Sequence, residues 1–130
     1  MARMGWREAN RARWVGIRPA HEGEQVVARS SHENSTVVLY TVPAGRTLYL
    51  CGANLGVWAT AAGYVLMSIY TDLGAMYWEF LYYGFPAAGG AGSYVFPFSP
   101  PLELPAGYTV RDTSSAAGLW TVGAIWGWLE

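Results

Sequence analysis

From residue 36 onward, hydrophobic and polar positions alternate in short runs. Residues 64–71 set Val65, Met67 and Ile69 against Tyr64, Leu66, Ser68 and Tyr70. Residues 75–83 set Met76, Trp78, Phe80 and Tyr82 against Tyr77, Glu79, Leu81 and Tyr83. A period of two is the signature of a strand. Further strands are predicted over residues 36–42, 46–55, 94–98, 102–104, 108–112 and 119–128, with a short one near 24–28. Asp72, Leu73 and Gly74 read as a hairpin loop, and residues 86–92 (PAAGGAG) as a flexible one. Helical periodicity is nearly absent; Trp6, Ala9 and Arg13 make only a thin stripe in residues 1–20. About eight short strands predict an all-β fold, a jelly-roll-like β-sandwich behind an extended arm. The boundary falls between an arm, 1–35, and a sandwich, 36–130.

One segment occurs twice. VPAGRTL at 42–48 returns as LPAGYTV at 104–110. Proline presets its own φ and has no N–H for a ladder, so it ends the preceding strand. Each copy reads as a type I turn, with Pro43 or Pro105 second and Gly45 or Gly107 fourth. Two matching turns suggest two Greek keys that use the same corner.

The last strand is apolar on both faces. Trp120, Val122, Ala124, Trp126 and Trp128 alternate with Leu119, Thr121, Gly123, Ile125, Gly127 and Leu129. A sandwich strand needs one buried face. The other requires a cover: a second subunit, the arm, or a ligand stacked on tryptophan. Interfaces favour Trp, Tyr, Phe and Met, so Trp120, Trp126 and Trp128 are candidate contacts of a closed homo-oligomer. A sugar platform is the alternative, with Asp72, Glu79 or Asp112 accepting sugar hydroxyl protons.

Charge adds a second candidate surface. Residues 1–18 carry Arg3, Arg7, Arg11, Arg13 and Arg18 against Glu8, whereas the remainder holds three arginines and eight carboxylates. The net charge of −1 argues against a nucleic-acid binder, but a basic arm precedes an acidic body. Trp6 and Trp14 are suited to anchor that arm in a partner's pockets, with the arginines pairing carboxylates. A lone cysteine, Cys51, excludes an internal disulfide and reads as a small buried hydrophobe. The stretches 47–71 and 80–102 carry no charge, yet their glycines and prolines argue against membrane helices. No secretory signal is visible, so the Asn34-Ser35-Thr36 acceptor pattern reads as chance.

The chemistry is sparse. No nucleophile elbow, phosphate loop or zinc spacing occurs, and GGAGS at 89–93 lacks the phosphate-loop lysine and reads as a mobile tip. His21, Glu22, Glu24, His32 and Glu33 would form a metal cluster only if residues 21–33 made a hairpin, and they read as solvated loop charges. No spacing selects a carboxylate pair among Asp72, Glu79, Glu103 and Asp112. No enzyme, cofactor or metal is expected.

The arginine-bearing arm, the repeated Pro-Ala-Gly corners and the aromatic last strand together resemble small β-sandwich structural proteins of tailed bacteriophage virions, of the capsid decoration (cement) type. The resemblance covers roughly residues 36–129. It implies a body that is commonly trimeric, made in the host cytoplasm and seated on the capsid surface, reinforcing the major capsid protein or another virion protein without catalysis. A carbohydrate- or receptor-binding module of a tail or fibre is the rival reading.

Overall fold

The computed structural model describes residues 24–87 and 89–130. Eight strands follow in order: β1 (Glu24–Glu33), β2 (Thr36–Thr41), β3 (Leu48–Ala59), β4 (Gly63–Tyr70), β5 (Met76–Phe85), β6 (Gly90–Leu104), β7 (Thr109–Ser114) and β8 (Leu119–Leu129). They form two four-stranded sheets, β1-β8-β3-β6 and β2-β7-β4-β5, with every neighbouring pair antiparallel. This is a jelly roll: eight strands in two Greek keys, packed face to face.

The repeated segment occupies equivalent corners. One leads from β2 to β3 and the other from β6 to β7, so each carries the chain between the sheets. They lie side by side: the Val42 N–H donates to the Tyr108 carbonyl and the Gly107 N–H to the Val42 carbonyl, both at 2.9 Å. The turn sits one residue later than the sequence reading placed it. The Pro43 carbonyl accepts from Arg46 N–H and the Pro105 carbonyl from Tyr108 N–H, each at 3.2 Å. Gly45 and Gly107 are therefore third, with φ of 73° and 85°. Positive φ at that position belongs to a type II turn, not type I, and explains why glycine follows Pro-Ala in both copies.

The core lies between the sheets. Leu48, Leu50 and Leu55 of β3 meet Val65, Met67 and Ile69 of β4, Val110 of β7, and Leu119 and Ile125 of β8, all essentially inaccessible. An aromatic seam closes the side where the edge strands β5 and β6 face each other. Trp78 and Phe80 meet Phe96 and Phe98 at ring separations of 5.4–5.9 Å, and Tyr83 stacks on Tyr94 at 4.8 Å. Bulges in β5 skip Phe80 and Tyr77 in the register with β4. Simple alternation therefore fails in β5. The bulge turns consecutive residues Phe80 and Leu81 both towards the core.

Three expectations are corrected. The sandwich begins at Glu24, not at residue 36, because β1 pairs with β8 along its whole length. Residues 90–93, read as a loop tip, open β6 and pair with Gly56–Ala59. Backbone groups along the long β3 gain ladder partners this way, and glycine at 90 leaves room for Phe85, whose ring lies 2.8 Å from where a Cβ would stand. The predicted strands 94–98 and 102–104 are one strand. Pro97, Pro100 and Pro101 are tolerated in β6 because it is an edge, where a missing N–H breaks no ladder. The two uncharged runs fall within β3–β4 and β5–β6, and among the described residues no helix is long and apolar enough to cross a membrane.

Candidate functional site

Register fixes which side chains share the outer face of the β1-β8-β3-β6 sheet. Glu33, Trp120, Trp58 and Ala91 form one row across it; Val27, Trp126, Gly52 and Pro97 form another. Between them lie rows through Val122 and through Ala124, ending on Ser93 and Val95 of β6. The apolar members stay open to solvent: Val27 at 75%, Val95 at 63%, Trp58 at 61%, Val122 at 50%, Trp120 at 42% and Trp126 at 37%. Such an apolar surface, continuous across four strands, is what interaction sites look like.

Two depressions mark this face. Trp58 and Trp120 stand on adjacent strands and flank a cleft of about 370 Å³. Gly56, Val57, Val122 and Ser31 complete its lining. At the other end of the sheet, Trp126 lies flat over Gly52; a Cβ there would stand 2.3 Å from the indole. Beside it, Gln25, Val27 and Cys51 line a hollow of about 170 Å³. Cys51 is half-buried instead of buried, because it occupies the bulge between Leu50 and Gly52, and partial burial raises its thiol pKa.

The three candidate tryptophans of β8 separate here. All point to the outer face, as the alternation predicts, but Trp128 is only 1% exposed and stacks on Tyr49 at 5.1 Å with planes 8° apart. It offers no surface to a partner, whereas Trp120 and Trp126 do. Trp58 was missed. The signal existed in Leu55, Val57 and Ala59, which are buried and alternate with Asn54, Gly56 and Trp58, which are not. The arm candidates Arg3, Trp6, Arg7, Arg11, Arg13, Trp14 and Arg18 lie outside the described residues.

The carboxylates occupy different regions. Asp72 sits in the β4–β5 hairpin, against the Gly107 corner. Glu79 is exposed on the outer face of the second sheet, opposite Ser68. Asp112 is fully buried between the sheets. It reaches across to β8, where the Thr121 hydroxyl donates to Oδ1 at 3.2 Å. Gly123 makes room for it, since a Cβ there would stand 2.3 Å from Oδ2. Burial pushes this carboxyl up to about 6, against the lowering effects of the His32 charge and of hydrogen bonds from Thr121 and Ser30. His32 is held on β1 by the Ser35 carbonyl at 3.1 Å and Ser30 Oγ at 3.4 Å. The cluster is an inter-sheet polar tie. Because residues 24–33 form one strand, Glu24 and Glu33 stand at its opposite ends instead of meeting in a hairpin. Among the described residues, no three His, Cys, Asp or Glu side chains converge on a metal position.

No protein-family model matches the chain, and no curated protein does. Comparison with solved structures finds remote likenesses. Two crystal structures of a pentameric capsid protein isolated from metagenomic phage sequences share 19% and 21% identity, with TM-scores of 0.42 and 0.45, over 80% and 76% of this chain. This chain spans 60% of the length of each. Procruciferin, an 11S globulin of Brassica napus, aligns at 13% identity and a TM-score of 0.30, over 82% of this chain and 23% of its own. None of the three carries a function over to this chain.

Proposed function

We propose that the chain is a non-enzymatic structural protein of a bacteriophage virion, a capsid decoration protein that assembles with copies of itself and reinforces the shell. The observation that carries the reading is the outer face of the β1-β8-β3-β6 sheet. Trp58, Trp120, Val122 and Trp126 leave it too apolar to face water permanently. Obligate subunit contacts have this character, like a core cut in two. The jelly roll suits the task, since its rigid sheets present a fixed face. The decoration reading implies a trimer. The structural neighbours are described as pentameric capsid proteins, and a five-fold species would move the reading to a ring-forming capsid subunit.

Sedimentation of the full chain at micromolar concentration tests the reading. A closed oligomer is expected; a monomer under these conditions removes its basis. The Trp58–Trp120 cleft also favours a second reading, a carbohydrate-binding module, in which a sugar ring stacks on indole beside the Ser31 hydroxyl. A glycan titration that saturates in tryptophan fluorescence would favour that alternative.

A further inference from the structure

The outer face holds a tryptophan-walled cleft, and the chain carries two tryptophans in a basic segment ahead of β1. We propose that Trp14 of a neighbouring copy seats in the Trp58–Trp120 cleft, with Arg11 or Arg13 of that copy pairing Glu33 at its rim. The inference rests on the self-assembly proposed above and names the junction that makes it.

Charge favours this occupant. The described residues hold three arginines, Arg29, Arg46 and Arg111, against seven carboxylates, whereas the first eighteen residues hold five arginines against Glu8. At the cleft itself, Glu33 lies in the same row as Trp120 and Trp58. One of its oxygens accepts from the Gly118 N–H. Among the described residues its other oxygen has no partner, which leaves it open to a guanidinium.

Reach favours a neighbouring copy over the chain's own arm. The cleft lies at the Glu33 end of β1, whereas the arm joins at Glu24. Nine strand steps separate the two ends, roughly 30 Å. Trp14 precedes Glu24 by ten residues, and a reversal onto the sheet uses about four of them. The six or so that remain span about 20 Å when extended, so the chain's own Trp14 would meet the near, Ser31 edge of the cleft only when fully stretched. A neighbour's arm approaches from outside and has no such limit.

Complementation between full-length variants tests the junction. The arm variant carries Trp6→Ser and Trp14→Ser; the cleft variant carries Trp58→Ser and Trp120→Ser. Each alone is expected to lose assembly by native mass, while an equimolar mixture recovers mixed dimers, because one intact cleft then meets one intact arm. Two outcomes overturn the junction: either variant assembling like the parent, or the two remaining monomeric when mixed. A monomeric parent would instead sink the assembly reading itself. Arg11→Glu with Arg13→Glu gives a second readout that leaves every cleft residue in place. It should raise the apparent dissociation constant at least about tenfold, with weaker salt dependence than the parent; an unchanged constant counts against the proposal.

Discussion

The two outer faces of this jelly roll solve the same problem differently. On the β2-β7-β4-β5 sheet, side chains of neighbouring strands partner one another. Thr36 and Thr113 hydroxyls are 2.9 Å apart, and Arg111 donates from Nε to Thr109 Oγ1 at 3.0 Å while its guanidinium lies 4.0 Å over the Tyr70 ring. Tyr64 and Tyr82 stack at 5.7 Å, with phenol groups that tolerate water. On the β1-β8-β3-β6 sheet, the inner strands present Trp58, Trp120, Val122 and Trp126, and no such network satisfies them. The β2-β7-β4-β5 face pairs its polar groups within the chain, while Val38, Met76 and Tyr82 on its edge strands stay exposed. The other is finished at one end only, where Trp128 stacks on Tyr49. Under the proposed self-assembly, the tryptophan face is the one a permanent contact would cover.

The comparison is broken most severely at its sealed end. Trp128→Ala should cost about 3–5 kcal/mol, as loss of a buried aromatic does, read as a lower urea midpoint. Trp128→Phe should cost less, about 1–2 kcal/mol, from the smaller ring left in the same space. It keeps a ring against Tyr49 and removes the indole N–H, which has no hydrogen-bond partner.

The open end should respond in assembly and not in folding. Trp120→Thr with Trp126→Thr is expected to weaken self-association by about a hundredfold or more, with the urea midpoint barely moved. The counterpart on the other sheet, Thr109→Val with Thr113→Val, should leave the native mass unchanged. Equal effects from the two pairs would erase the distinction between the faces.

Between the faces, Asp112 sets a pH dependence. Its folded pKa of about 6 lies above the ordinary carboxyl value of 3.8. Its contribution is therefore most favourable below the unfolded value and is lost as pH rises through the folded one. Asp112→Asn should accordingly stabilise the protein at pH 8, relative to its effect at pH 4, by about 2–3 kcal/mol. Paired urea titrations at the two pH values check this. A smaller effect is expected from Arg111→Leu, about 0.5–1 kcal/mol from the lost contact with Tyr70.

Much of this was legible in the sequence. Period-two runs located β4 and β8, and β8 has the predicted face assignment throughout. The Pro-Ala-Gly repeat marked the two sheet-crossing corners, although the glycine's positive φ shifts the turn by one residue. Bulges were not legible. Nothing in the composition of β5 says that Phe80 is skipped, because the bulge answers the packing of Phe96 and Phe98 on a strand distant in sequence. β1 is hard to see in the sequence because Arg29, Ser30, Ser31 and His32 have a loop's composition; on the sheet they alternate between the polar tie around Asp112 and the outer face. In β7, Asp112 alternates with Arg111, and only the position of Val110 shows that the carboxylate points inward.

Hydroxyl-radical footprinting of the full chain, dilute and at assembling concentration, tests the central claim most directly. The account predicts that Trp58, Trp120 and Trp126 become protected on assembly while Tyr64 and Tyr82 keep the same oxidation rate. Unchanged oxidation of the three tryptophans, or equal protection of the two tyrosines, would contradict it.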